Sequence, residues 1–216
     1  MTSSSSQLAK LALKGSLKIV ADYFEFAINS ILFQRGIYPP EDFHTIKKYG
    51  LPLLVSADDD VKAYIEKIML QVKKWIYGRK IGKLVVVIIS KSTAEVVERW
   101  EFNIEILQDN ENNNEDDKEE VKKPREESHR EIQMIIRQIT SLVSYLPLLE
   151  VDEYTFNVLV HTDPNYDTAH IPHEWCDTDG NAKLIEGNSV EQVKFKSFST
   201  NIHEIGTTVS YKLDET

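Results

Sequence analysis

Apolar pairs recur four residues apart near the start of the chain: Ile19/Val20, Tyr23/Phe24, Ala27/Ile28 and Ile31/Leu32. That stripe is too broad for a helix with one solvated face and predicts a helix buried at the centre of the fold. Gly36 and the Pro39-Pro40 pair stop it. A second helix is expected from Asp58-Asp59-Asp60, whose carboxylates suit free N–H groups and the helix dipole. Its stripe is Val61, Tyr64, Ile65, Ile68, Val72, Trp75 and Ile76, ending at Gly78. Leu84 to Ile89 is an unbroken aliphatic run and predicts an interior strand covered on both faces. Trp100, Phe102, Ile104 and Ile106 then alternate with Glu101, Asn103 and Glu105, the pattern of a strand with one wet face. Pro124 fits the first turn of a third helix with Ile132, Ile135, Ile136, Ile139, Leu142, Val143 and Leu146 as its stripe, and Pro147 ends it. Tyr154 to Val160 reads as a strand, residues 163–190 are rich in turns, and strand-like pieces follow at Val193–Ile202 and Thr207–Leu213. Helix, helix, strand pair, helix and then strands make an α+β domain with an antiparallel or mixed sheet carrying helices.

The 216 residues are 41% hydrophobic and 28% charged, which supports one sizeable core, and no repeat or break divides the chain. The net charge is −10, and residues 108–127 hold −5 of it with a single aliphatic side chain, Val121. Such a stretch buries too little to offset its ordering entropy and is expected to be a mobile loop over 108–123. Residues 1–12, opening with four serines after Thr2, are likewise expected to be disordered, leaving one domain over 13–213. An acidic chain neutralises phosphates poorly, so neither nucleic acid nor an anionic membrane is expected as a partner. No secretory leader pattern opens the sequence, and its longest apolar run, Leu84 to Ile89, is far too short to span a bilayer.

Candidate chemistry is sparse. The lone Cys176 excludes an intramolecular disulfide. The sequence has no Gly-rich phosphate loop, nucleophile elbow, HExxH or EF-hand pattern. His170, His173, Glu174 and Cys176 are metal-ligand types in a short span, but Pro172 among them argues against one helical face presenting ligands, and a structural or surface role is favoured. His44, His129, His161 and His203 are isolated and read as surface or internally satisfied residues. No catalytic residue, metal or cofactor is expected, and a zinc-dependent enzyme is the outlying alternative. The long turn-rich tail is the unusual feature. It either completes the sheet as fixed edge strands or covers and uncovers an edge for strand addition, and composition does not choose.

Several stretches carry a resemblance. Ala27-Ile28-Asn29-Ser30-Ile31-Leu32-Phe33-Gln34-Arg35-Gly36-Ile37-Tyr38-Pro39, Lys83 to Ile88 and Glu98-Arg99-Trp100-Glu101-Phe102 resemble HORMA-domain proteins. So do Ile136-Arg137-Gln138-Ile139-Thr140, Leu146-Pro147-Leu148-Leu149-Glu150, Ser197 to His203 and Val209-Ser210-Tyr211-Lys212. The likeness runs in order from about Leu13 to Leu213 and points to the spindle-checkpoint members of that family. It implies a HORMA fold: three helices on a mainly antiparallel sheet, with residues 163–213 as a mobile β seat belt. In the closed state a partner peptide adds beside Tyr154–Val160 while the tail pairs along Trp100–Ile106. In the open state the tail takes the peptide's place, and the segment around Leu13 lies at the other edge.

The resemblance further implies residue roles. Tyr154, Phe156, Val158 and Val160 would meet the peptide. Arg137, Gln138 and Tyr145, with Arg35, Lys196 and Phe198, would form the face on which an open copy docks on a closed one. Leu13, Trp75, Trp100, Trp175 and Tyr211 would change surroundings between states. The implied partners are a coiled-coil kinetochore checkpoint receptor, the mitotic activator of the anaphase-promoting complex, and a HORMA-like silencing adaptor with its AAA+ remodelling ATPase. The implied places are nucleus, cytoplasm, and kinetochore and spindle during mitosis. Within the same fold, the adaptor subunit of a translesion DNA polymerase is the competing reading, against which the Arg-Gln-Ile-Thr and Leu-Pro-Leu-Leu-Glu blocks stand.

Overall fold

Helix α1 runs from Thr2 to Gln34, and Val20, Ala21, Tyr23, Phe24, Ala27, Ile28, Ile31 and Leu32 are wholly buried along it. The computed structural model describes residues 2–107, 123–149, 153–163, 171–178, 184–185, 187 and 189–213. The paired apolar spacing is thus what places α1 at the centre. Its end is a Schellman turn: Ile37 N–H donates to Leu32 O at 3.0 Å and Gly36 N–H to Phe33 O at 3.1 Å. Gly36 sits at φ +63°, which a residue without Cβ adopts at little cost. Helix α1 begins at Thr2, inside the 1–12 segment for which the sequence gives an expectation of disorder. Leu8-Ala9-Lys10-Leu11-Ala12-Leu13-Lys14 is a run of strong helix formers, and it extends a helix whose far end is fixed in the core.

Helix α2 spans Asp59–Tyr77, and Asp58 caps it by accepting from the N–H groups of Asp60 and Val61. Helix α3 spans Arg125–Leu142, with Pro124 at its N-cap and Ile132, Ile135, Ile136 and Ile139 buried beneath it. The strands are β1 (Phe43–Lys48), β2 (Leu51–Ser56), β3 (Ile81–Ser90), β4 (Val96–Ile106), β5 (Tyr154–Thr162), β6 (Val190–Lys194), β7 (Phe198–Ser199) and β8 (His203–Lys212). The main sheet runs β5-β3-β4-β8-β6, with β7 also on β8, and all its pairings are antiparallel. One row of side chains crosses it: Val158 opposite Val86, then Trp100, Val209 and Val193, all in the core under the helices.

β3 shows why its sequence is continuously apolar. Leu84, Val86 and Ile88 face the helices, while Val85, Val87 and Ile89 join Val96 in a second buried cluster on the other face. The β1–β2 hairpin is absent from the sequence expectations. Its two-residue turn, Tyr49-Gly50, has both residues at positive φ (51° and 71°), the conformation that matches strand twist in a tight hairpin. The hairpin is fixed to α1 where Asn29 Oδ1 accepts from Ser56 N–H and Lys48 pairs with Asp22, each within 2.9 Å. The stretch expected to be a mobile acidic loop lies, over 108–122, outside the described residues.

Candidate functional site

Antiparallel strands point the N–H and C=O of alternate residues to opposite sides, so a strand with one neighbour turns every second residue's backbone groups away from that neighbour. β5 pairs with β3 on one side and is the end of the sheet among the described strands. Lys91 N–H donates to Glu153 O at 2.8 Å, and the register places Asn157 opposite Val87 and Leu159 opposite Val85. The odd-numbered residues therefore bond to β3. Tyr154, Phe156, Val158 and Val160 turn their backbone groups to the open side. Their side chains point the other way, into the main core: Phe156 and Val158 are buried, Tyr154 and Val160 half-buried against it. What these four residues offer a ligand is a row of amides and carbonyls, held straight by packed side chains.

The opposite edge of the central strands is occupied by the tail. β8 pairs with β4 from Glu98↔Tyr211 to Ile106↔His203, nine positions in all. α1 holds it there: Tyr23 and Thr207, both fully buried, join their hydroxyls at 2.7 Å, and the Tyr23 ring lies edge-on to Phe198 at 4.8 Å. Burial drives the Tyr23 phenol far above its ordinary value, so it stays a neutral hydrogen-bonding group. The placement of the tail on β4 is the one that the resemblance assigns to the closed state, and among the described residues no strand takes the other side of β5.

Two described pieces of the tail lie on opposite faces of the sheet. Trp175 packs edge-on against Trp75 of α2 at 4.8 Å, and Glu174 lies 3.5 Å from Lys67. Ile185 packs on the outer cluster of Val85, Val87, Ile89 and Val96, beside Leu159 of β5. Trp175 thus lies on the helical face and Ile185 on the outer face. Where it leaves β5, Asp163 N–H donates to Lys80 O at 2.8 Å. The outer face near that end is charged: Glu101 binds Lys83 and Arg99 at 2.7 Å each. Although burial works against ionisation, the two cations hold the Glu101 carboxyl below its ordinary value.

A buried polar node lies under the tail. Arg35 donates through Nε to Glu98 Oε1 at 2.7 Å and also reaches Pro147 O, and the Trp100 indole donates to Glu98 Oε2 at 3.2 Å. Burial pushes the Glu98 carboxyl up, and Arg35 with the indole pulls it back. The node ties the end of α1, β4 and the turn after α3 together. Trp100 is fully buried, with Phe195 of the tail 5.9 Å from its ring. Tyr211 donates to Glu191 Oε2 at 2.8 Å across the β6–β8 pair. Leu13 is half-buried within α1, away from the sheet ladder.

The residues expected on a self-association face divide. Arg137 is exposed on α3, Tyr145 is 78% exposed just beyond it, and Lys196 is exposed on the tail. Gln138 Oε1 accepts from Lys196 N–H at 3.4 Å, which sets α3 and the tail side by side. Arg35 and Phe198 do not belong to that surface. They are 5% and 1% exposed, because one serves the buried node and the other packs on Tyr23. Of the metal-ligand types, Cys176 is exposed and His170 lies outside the described residues. Among the described residues no three His, Cys, Asp or Glu side chains converge.

Sequence reasoning missed Tyr64 and Asn157. Tyr64 was expected within the buried stripe of α2, yet it is 40% exposed and lies over β5, its ring edge-on to Phe156 at 5.6 Å. Its hydroxyl donates to Asn157 Oδ1 at 3.2 Å. The one available signal is chemical, since tyrosine carries a polar tip that a core stripe does not require.

A family model described as HORMA domain matches residues 16–203. The chain is 45% identical over 207 residues to the mitotic spindle checkpoint component mad2 of Schizosaccharomyces pombe, covering 94% of this chain and 95% of that protein. A chain in the crystal structure of the mitotic checkpoint complex matches with a TM-score of 0.77 and 44% identity, over 92% of this chain and 99% of that one. The fold also matches Caenorhabditis elegans HTP-1 bound to the HIM-3 closure motif, with a TM-score of 0.74 at 13% identity, over 93% and 92% of the two chains.

Proposed function

The chain belongs to the HORMA-domain family, among its mitotic spindle checkpoint proteins, and from that premise we propose that it captures a partner peptide as an added strand on β5. The observation that carries this reading is the pairing of β8 with β4 over nine positions, which leaves the backbone groups of Phe156, Val158 and Val160 on the side of β5 that no described strand takes. An unpaired edge beside a buried core is a template for another strand, and main-chain bonds supply affinity there whatever the peptide's side chains. The tail then fastens over the added strand through Trp175 against Trp75 and Ile185 against the outer cluster. Release and capture require β8 to leave β4, the event that separates the closed from the open state.

The peptides are those of the coiled-coil kinetochore receptor and of the mitotic activator of the anaphase-promoting complex, whose sequestration delays anaphase. An open copy docks on a closed copy through Arg137, Gln138, Tyr145 and Lys196, and the silencing adaptor with its AAA+ ATPase reverses the assembly. The chain acts as a binding protein and not as an enzyme, in nucleus and cytoplasm and at kinetochores and spindle during mitosis.

Backbone hydrogen exchange over residues 153–213, with and without a synthetic closure-motif peptide of the kinetochore receptor, tests the reading. New protection confined to alternate amides of β5, with β8 still protected, is the expected result. Binding that leaves the β5 amides unchanged would overturn it.

A further inference from the structure

An unpaired strand edge attracts any extended chain, and natural sheets blunt such edges with side chains. β5 does so at Val158. The Val158 N–H, which points away from β3, donates at 2.9 Å to the side-chain oxygen of Asn157, the residue before it. That same Oδ1 accepts from the Tyr64 hydroxyl at 3.2 Å, and the Tyr64 ring is set by its edge-on contact with Phe156. We infer that Asn157 and Tyr64 form a polar plug on the peptide-accepting edge, in which Asn157 Oδ1 occupies the place that a carbonyl of the incoming strand must take opposite Val158.

The inference rests on the reading of β5 as the capture edge and adds to it a competitor and a register. The amide of Asn157 mimics a peptide group, so the plug satisfies Val158 with the kind of acceptor a partner would bring. An incoming strand gains nothing at this position until its own carbonyl displaces Oδ1. The register that places a carbonyl opposite Val158 is the one that meets the plug, whereas a register slipped by one residue leaves it in place. Tyr64 keeps the side chain in place from α2, on the helical side of the edge. Burial raises the Tyr64 phenol above its ordinary value, and the Val158 N–H directed toward it opposes that rise, consistent with the three groups meeting at one point.

The test uses the full chain and the kinetochore-receptor peptide, with Asn157→Ala to remove the acceptor and Tyr64→Phe to remove only the hydroxyl. In the free protein, exchange of the single Val158 amide should be about ten-fold faster in Asn157→Ala than in the parent. The association rate should rise about three- to ten-fold, the worth of one ordinary hydrogen bond no longer broken on binding, with a smaller rise for Tyr64→Phe. With peptide bound, Val158 should be equally protected in all three proteins. Unchanged Val158 exchange would mean that no plug exists, and faster exchange with unchanged association would mean that it does not compete. Slower association would make Asn157 a peptide contact instead. Each of these overturns the inference while leaving β5 capture intact, whereas a parent protein that shows no β5 protection sinks the capture reading itself.

Discussion

His203, the first residue of β8, places its Nδ1 2.6 Å from the Ser16 hydroxyl of α1, with both side chains buried. The Ser16 hydroxyl also meets that of Thr200 at 2.6 Å, and Thr200 in turn receives the His203 N–H at 2.9 Å. Residues nearly two hundred positions apart thus pin the root of the last strand to the side of the central helix.

The pin gives the tail a pH dependence. Burial, helped by Arg79, lowers His203 from 6.5 to about 4. The unfolded or detached tail therefore takes up a proton below 6.5 that the docked tail refuses until about 4. Stability is fully present above the upper value and is lost as pH falls through that window. Urea midpoints and β8 amide exchange measured from pH 7.5 to 4.5 should show progressive loosening. His203→Gln should flatten the dependence, and an equally steep profile in that variant would remove His203 as its source.

Trp175→Ala removes the ring that meets Trp75 where the tail lies on α2. Truncating an aromatic anchor of this kind should speed peptide dissociation about ten-fold or more, with association changed much less. Stopped-flow competition reads both rates, and unchanged dissociation would mean that the Trp75–Trp175 contact does not fasten the tail.

Arg137→Glu reverses a charge on the exposed face of α3, one residue before the Gln138 that meets Lys196, without touching the core. Sedimentation of mixed open and closed protein should show self-association lost and peptide binding retained. A parent-like sedimentation profile would place the docking face elsewhere.

Ending the chain at Asn201 deletes β8, with Val209 and Thr207 that lie opposite Trp100 and Phe102, and exposes that edge of β4. Peptide capture should fall by at least about a hundred-fold, as expected when a ladder of backbone bonds and its buried side chains are lost together. Tight binding by the shortened protein would show that β5 works alone. Circular dichroism of the shortened protein separates loss of capture from loss of fold.

The elements that carry a periodic signal were legible in the sequence. The stripe of α1, the Asp58 cap and the two-faced apolar run of β3 each follow from local side-chain chemistry. The β1–β2 hairpin was missed because its half-polar strands alternate weakly and its turn depends on Tyr49, a residue that seldom adopts positive φ. The residue numbers along β5 came from family resemblance, while the structure altered what they mean: their backbone, not their side chains, faces the open edge. The burial of Arg35 and Phe198 was not legible, because it depends on distant partners, Glu98 and Tyr23, that spacing along the chain does not reveal.

On the proposed capture by β5, the nine-position pairing of β8 with β4 would set how long a captured strand stays. A ligand on an open edge leaves by breaking its own contacts, so a poor sequence leaves quickly. A ligand lying under a fastened tail leaves only after a separate ladder has unzipped, and that ladder is the same for every guest. Peptides of unequal fit should therefore differ in how readily they are admitted and share a common lifetime once inside. Selectivity then resides at entry, and persistence belongs to the host.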